Sequence, residues 1–201
     1  MEYIGDVFYE YGASLYANIT NKCPCRCEFC IRYIADSLGT ADSLWLTREP
    51  SLDEMKELLD KWDLKRYGEL VFCGYGEPTE RLEELLEVAK YAKTRKPSLK
   101  VRINTNGLAD LIHGRDTTAD LEGIIDAISI SLNEYSAEKY EELCHPEFGI
   151  DSYEALKDYT IRVKKYVPDV TMSVVSGAIP DADVEKSGLA AAELGVKFRV
   201  R

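Results

Sequence analysis

Asn21-Lys22-Cys23-Pro24-Cys25-Arg26-Cys27-Glu28-Phe29-Cys30-Ile31-Arg32 gathers four of the six cysteines of the chain into one short loop. Thiolates are soft ligands, and several of them on one loop select zinc, copper(I) or iron-sulfur clusters over oxygen-loving cations. Spacing then sorts the choices. Cys23, Cys27 and Cys30 form Cys-x3-Cys-x2-Cys, and Cys25 between the first two offers alternative spacings. A structural zinc site pairs two short-spaced units, or one such unit with histidines. Downstream stand only Cys73 and Cys144, each alone, and the histidines are His113 and His145. The ferredoxin run Cys-x2-Cys-x2-Cys is absent too. Three thiolates on a cubane remain, and they leave one iron open to a small molecule.

Outward from this loop the chain alternates strands and helices. Residues 7–11 and 14–20 read as extended pieces joined at Gly12, the second delivering the chain to the cysteines. Ser51 with Glu54 three residues later marks a helix start, followed by the apolar stripe Met55, Leu58, Leu59 and Trp62. Strands are expected at residues 69–73, 100–105, 124–132, 169–176 and 196–201. Helices are expected from residue 82, weakly at 118–123, from Ser136 to Cys144, at 152–166 and at 181–194. Strands separated by helices imply a parallel sheet with right-handed crossovers. Six such strands fall short of the eight of a closed barrel. The expected fold is α/β, a partial (β/α)6 TIM-like barrel, an open three-quarter barrel of parallel strands with residues 1–15 as a short N-terminal β extension. A doubly wound flat sheet is the alternative. Either architecture places functional loops at the carboxyl ends of the strands.

The loop is specific enough to carry a resemblance. Cys23, Cys27, Phe29 and Cys30 match the Cys-x3-Cys-x-aromatic-Cys signature, so the chain resembles the radical S-adenosylmethionine (radical SAM) enzymes. The stretches Tyr16-Ala-Asn-Ile-Thr-Asn-Lys-Cys-Pro24, Leu132-Asn133, Cys144 and Gly195-Val-Lys-Phe-Arg-Val-Arg201 look most like the TatD-associated radical SAM proteins. The resemblance implies that Cys23, Cys27 and Cys30 are at once the metal ligands and the catalytic centre. They would hold a [4Fe-4S] cluster whose fourth iron is chelated by the amino and carboxylate groups of S-adenosylmethionine, with Phe29 near the adenine. It further implies one electron from a flavodoxin or ferredoxin, reductive cleavage to a 5'-deoxyadenosyl radical, and hydrogen abstraction from a small-molecule or protein substrate. It implies the same partial barrel.

Polar residues collect at the expected strand ends, which a purely structural domain does not require. Gly74-Tyr75-Gly76-Glu77-Pro78 combines glycines that permit close backbone approach with a proline that holds Glu77 extended. With Tyr75 in place of its first glycine, the segment resembles the Gly-Gly-Glu-Pro motif that holds the amino group of S-adenosylmethionine, which makes Gly76, Glu77 and Pro78 cofactor-binding candidates. Asn104 could donate an amide into the mouth. Ser129, Ser131 and Asn133 share one face of their strand, and Thr171, Ser173 and Val175 form a comparable series. The family implies ribose and carboxylate contacts from the first of these strands, through Ser131 and Asn133, and Ser173 is a candidate for the adenosine pocket. Ser129 reads equally well as a barrel-centre residue bonded to neighbouring strands. Arg199 and Arg201 alternate along the last strand and suit a carboxylate or phosphate. Cys25 is read as a spare or solvent-facing thiol, with a substrate-facing one as the alternative, and Cys144 with His145 as a helix-end packing pair.

With 36 acidic against 25 basic residues, a formal charge of -11 opposes general nucleic-acid binding. No apolar run is long enough to span a bilayer. The start lacks the pattern of a secretory signal, and close-set cysteines without one favour a metal in a reducing compartment, so a cytoplasmic, oxygen-sensitive protein is expected. The 201 residues suit one core domain. Rival readings are a glycyl-radical-enzyme-type activating protein acting on a partner protein, and a non-catalytic iron-sulfur or zinc binding module.

Overall fold

The computed structural model describes residues 2–201. Seven strands follow one another in the sheet in chain order, and the chain divides into two compact units.

The first unit comprises the chain through Cys23, residues 31–103 and residues 124–126. β1 (Phe8–Tyr11) and β2 (Ser14–Ala17) form an antiparallel hairpin, with Phe8 opposite Ala17. β2 then pairs in parallel with β3 (Glu69–Phe72), and β3 with the start of β4 (Lys100–Thr105). Between β2 and β3 lies α1 (Leu52–Leu59), started by the expected capping box: Ser51 accepts from the Glu54 amide, and Glu54 accepts from that of Ser51. Such a cap is worth about 1 kcal/mol. Between β3 and β4 lies α2 (Leu82–Arg95), whose apolar face, Leu85, Val88, Ala89 and Ala92, is fully buried. From residue 70 to 72 β3 reads Leu-Val-Phe without alternation and is buried, as suits a parallel strand covered on both faces.

The second unit comprises residues 24–30, 104–123 and 127–201. It contains α3 (Ala109–His113), β5 (Ala127–Ser131), α4 (Ala137–Cys144), α5 (Asp151–Val163), β6 (Asp169–Val174), α6 (Asp181–Glu193) and β7 (Lys197–Val200). β5, β6 and β7 pair in parallel, with Ser131 opposite Ser173 and Ser173 opposite Arg199. Ile128, Ile130, Met172 and Val174 are buried on one face, so the serines of both strands share the other.

The expected strands and helices form, with differences at several bounds: β2 ends at Ala17 rather than at residue 20, α1 ends at Leu59 before Trp62, and β6 ends at Val174 rather than at residue 176. Residues 124–126 do not belong to β5, because Asp126 instead folds back to accept from the Val101 amide. The weak helix expected at 118–123 is a single 3-10 turn, Thr118–Leu121, preceded by the short α3. No helix among the described residues is long and apolar enough to cross a membrane.

Candidate active site

In the first unit, the approach to Cys23 is held by side chains that answer backbone groups. The Asn18 amide, 1% exposed, donates to Leu44 O at 2.8 Å and Asp6 O at 3.1 Å, and its oxygen accepts from Tyr75 N at 3.2 Å. Thr20 donates to Glu49 at 2.8 Å and accepts from Lys22 N at 3.0 Å. Asn21 bonds both backbone groups of Leu46, and Arg81 donates to Ile19 O and Pro50 O. Each such bond contributes on the order of 1 kcal/mol, and losing a buried partner costs more.

The glycine-rich segment closes on this strand end. Glu77 N donates to Lys22 O at 2.7 Å, and a Cβ on Gly76 would sit 2.3 Å from Thr20 O. A Cβ on Gly74 would overlap the Asn18 side chain. Both glycines therefore make room for the protein's own approach to the cysteine loop. Glu77 is buried, and its carboxylate accepts from Thr79 N at 3.1 Å and Thr79 Oγ1 at 2.8 Å, capping the 3-10 turn that Pro78 begins. Tyr75 is buried with Tyr9, Ala41 and Leu44, its ring edge-on to Trp45 and its hydroxyl bonded to Ala35 O. This packing accounts for a large residue where the motif has glycine.

In the second unit, residues 24–28 lie along the end of α4. Arg26 N donates to Cys144 O at 2.9 Å, Glu28 N to Leu143 O at 3.1 Å, and Glu147 N to Pro24 O at 2.7 Å. His145, a left-handed helix cap, lies 3.3 Å from the Glu28 carboxylate. Cys30 N donates to Cys27 O, forming a tight turn. Cys27, Phe29 and Cys30 in this unit are half-buried, as is Cys23 in the first. Among the described residues, no three His, Cys, Asp or Glu side chains stand close enough together to hold a metal ion.

Cys25 is not solvent-facing, contrary to the expectation. It is 4% exposed, lying 4.0 Å from the Tyr140 hydroxyl and 3.8 Å from the Asn106 amide. The loop turns it inward because Arg26 and Glu28 use the α4 backbone on either side of Cys27. Cys144 is fully buried and accepts from Asn133 Nδ2 at 3.4 Å. The Cys27 side chain beside it, and then burial, push its thiol well above the ordinary range.

At the ends of β5 and β6, Leu132 N and Asn133 N both donate to Ser173 O. Asn133 adopts a left-handed conformation, φ 61°, which asparagine tolerates. Asn133 Oδ1 and Ser173 Oγ are buried without a hydrogen-bond partner. Such oxygens carry a cost unless something answers them. Ser129 and Ser131 accept from Arg199 at 3.2 Å and from Arg201 at 2.8 Å. Asn104, on β4, is half-buried.

The family model for the Radical SAM superfamily matches residues 17–187. The chain belongs to the Radical SAM superfamily. Compared with the curated proteins, it matches none. Among solved structures it is similar to a radical SAM methyltransferase from Sphaerobacter thermophilus, at 17% identity over 96% of this chain and 57% of that one, TM-score 0.64. It is also similar to Streptococcus suis SuiB bound to precursor peptide SuiA, at 15% identity over 94% and 39%, TM-score 0.65. A third likeness is to anSMEcpe with bound AdoMet, at 18% identity over 92% and 50%, TM-score 0.62. The shared fold is the partial, open parallel β/α barrel of the radical SAM class. The chain spans between 39% and 57% of the length of these structures.

Sequence reading singled out the cysteines, the Gly76-Glu77-Pro78 turn and the polar ends of β5 and β6. It missed Asn18 and Arg81 as anchors of the strand end, the Tyr140 contact to Cys25, and the seating of Arg26 N on Cys144 O. The first two are ordinary polar residues without a motif. The Cys144 contact joins residues 118 positions apart, and no local pattern encodes it.

Proposed function

We propose that the chain is a radical SAM enzyme core, one domain in which Cys23, Cys27 and Cys30 hold a [4Fe-4S] cluster. The observation that carries this reading is the family match over residues 17–187, which includes all three cysteines at the Cys-x3-Cys-x2-Cys spacing. The three thiols fit the group in donor chemistry, leaving one metal position for S-adenosylmethionine. The two buried, unanswered oxygens of Asn133 and Ser173 support a bound polar ligand at the ends of β5 and β6.

When bound, cluster and S-adenosylmethionine supply one-electron sulfonium cleavage and hydrogen abstraction. The chain's part is placement. Asn133 and Ser173 would bond the ribose or carboxylate, with Ser131 beside them and Asn104 on β4. The backbone of Gly76 to Pro78 would meet the amino group, with the Glu77 carboxylate fixing that turn rather than contacting the ligand alone. Phe29 would pack against the adenine. A flavodoxin or ferredoxin would supply the electron, and the substrate is a small molecule or a protein. We assign the chain to the TatD-associated subfamily on the stretches quoted above.

The test is anaerobic reconstitution, iron and sulfide analysis, then reductant with S-adenosylmethionine. Formation of 5'-deoxyadenosine is the expected result. A centre ligated wholly by protein that ignores S-adenosylmethionine would overturn the reading.

A further inference from the structure

β7, in the second unit, pairs on one side only, with β6. Arg201 N donates to Val174 O at 3.0 Å and Arg201 O accepts from Ser176 N at 2.7 Å, so the backbone groups of Arg201, and by alternation those of Arg199, turn toward β6. Those of Phe198 and Val200 turn outward, and no group among the described residues answers them. The edge strand of the first unit is treated differently: Glu10 N in β1 donates to Thr40 Oγ1 at 2.8 Å, and Glu10 O accepts from Thr40 N at 3.0 Å. An uncovered edge is a template for another strand.

The two faces of β7 add a chemical preference. On one, Arg199 donates to Ser129 at 3.2 Å and Arg201 to Ser131 at 2.8 Å, reaching back over β6 to β5 rather than out over the edge. Lys197 shares this face and pairs with Asp169 at 3.0 Å. Arg199 gives Ser129 one of its several N–H donors, and no carboxylate among the described residues pairs with it. Lys197, Arg199 and Arg201 give β7 only positive charge, in a chain of net charge -11. On the other face Phe198 lies against α6, where a Cβ on Gly188 would sit 3.3 Å from its ring, and Val200 is 46% exposed.

We propose that an extended acidic segment of a protein substrate adds to β7 as a further strand. Its backbone pairs with the outward groups of Phe198 and Val200, its carboxylates meet Arg199 and Arg201, and its apolar side chains cover Val200. Residues opposite one another across a strand pair share a face, so the segment that fits alternates acidic and apolar residues. Main-chain bonds supply the affinity of such an addition, and the alternating side chains its specificity. As a statement about the substrate, this rests on the function proposed above; the docking itself needs no cluster.

The test adds a capped synthetic peptide of alternating glutamate and valine to the full chain and follows amide hydrogen exchange by nuclear magnetic resonance. At saturating peptide, exchange at Phe198 and Val200 is expected to slow on the order of tenfold, with Glu10 in β1 unaffected. Arg199→Gln is expected to bind the peptide about fivefold more weakly. A peptide of alternating lysine and valine, and the glutamate peptide methylated at its backbone nitrogens, are expected to give no protection. Protection by either control, or none by the glutamate peptide, overturns the proposal and leaves the proposed function intact. So does protection that grows with the concentration of the chain alone, since a second copy would then occupy the edge. Unaltered affinity in Arg199→Gln overturns the acidic occupant. If the edge is protected but the reconstituted chain forms no 5'-deoxyadenosine, the proposed function falls and the docking stands.

Discussion

Two regions of this molecule treat their polar atoms in opposite ways. The strand end leading to Cys23 answers its buried groups from within: Asn18 makes three bonds, Thr20 and Asn21 two each, and Gly76 lets Glu77 N reach Lys22 O. The ends of β5 and β6 leave Asn133 Oδ1 and Ser173 Oγ buried and unanswered. A satisfied network fixes a backbone, whereas unanswered oxygens give up stability that a ligand can return. The first region is a mount, and the second is the one proposed above to meet a ligand.

This contrast can be broken by experiment, most severely at the loop itself. Cys27→Ala is expected to reduce iron and sulfide after anaerobic reconstitution to background and to abolish 5'-deoxyadenosine formation. A variant that loads and turns over like the parent would remove Cys27 from the ligand set.

Gly76→Ala should be the most damaging change on the mount, because its Cβ would meet the Thr20 carbonyl at 2.3 Å and that of Lys22 at 2.6 Å. A loss of about 2–3 kcal/mol is expected in urea unfolding of the cluster-free chain. A neutral result would mean that the two backbones are not held together.

Glu77→Ala removes the acceptor for two Thr79 groups and is expected to cost about 1–2 kcal/mol in the same measurement. If stability were unchanged and only S-adenosylmethionine affinity fell, Glu77 would belong with the binding surface instead.

Ser173→Ala should have the smallest effect and the opposite sign. Removing an unanswered hydroxyl is expected to leave the cluster-free stability unchanged or raise it by up to about 1 kcal/mol. Affinity of the reconstituted protein for S-adenosylmethionine, measured by calorimetry, should fall about fivefold, near 1 kcal/mol. Unaltered affinity would deny Ser173 a ligand role.

Much of the architecture was legible because its signals are local. The Ser51–Glu54 capping box, the uninterrupted apolar run of β3 and the helix start at Ser136 each lie within a few residues. The limits of β5 were less legible, since Asp126 leaves the strand to accept from Val101, a partner 25 positions away. Tyr75 looked like a weakened motif; the structure explains it as a core residue packed with Tyr9, Ala41 and Leu44. Cys25 looked spare and proved buried against Tyr140.

By itself, the sequence determined the spacing of the thiols and the strand-helix rhythm, because thiol spacing and apolar period are properties of neighbouring residues. Only the tertiary structure decided which polar atoms are answered within the fold and which are not, and which of the remaining cysteines lies against the loop. Burial and hydrogen bonding between the cysteine loop and the end of α4, or between β5 and β6, join residues far apart in the chain, and their energy exists only once the backbone has brought them together.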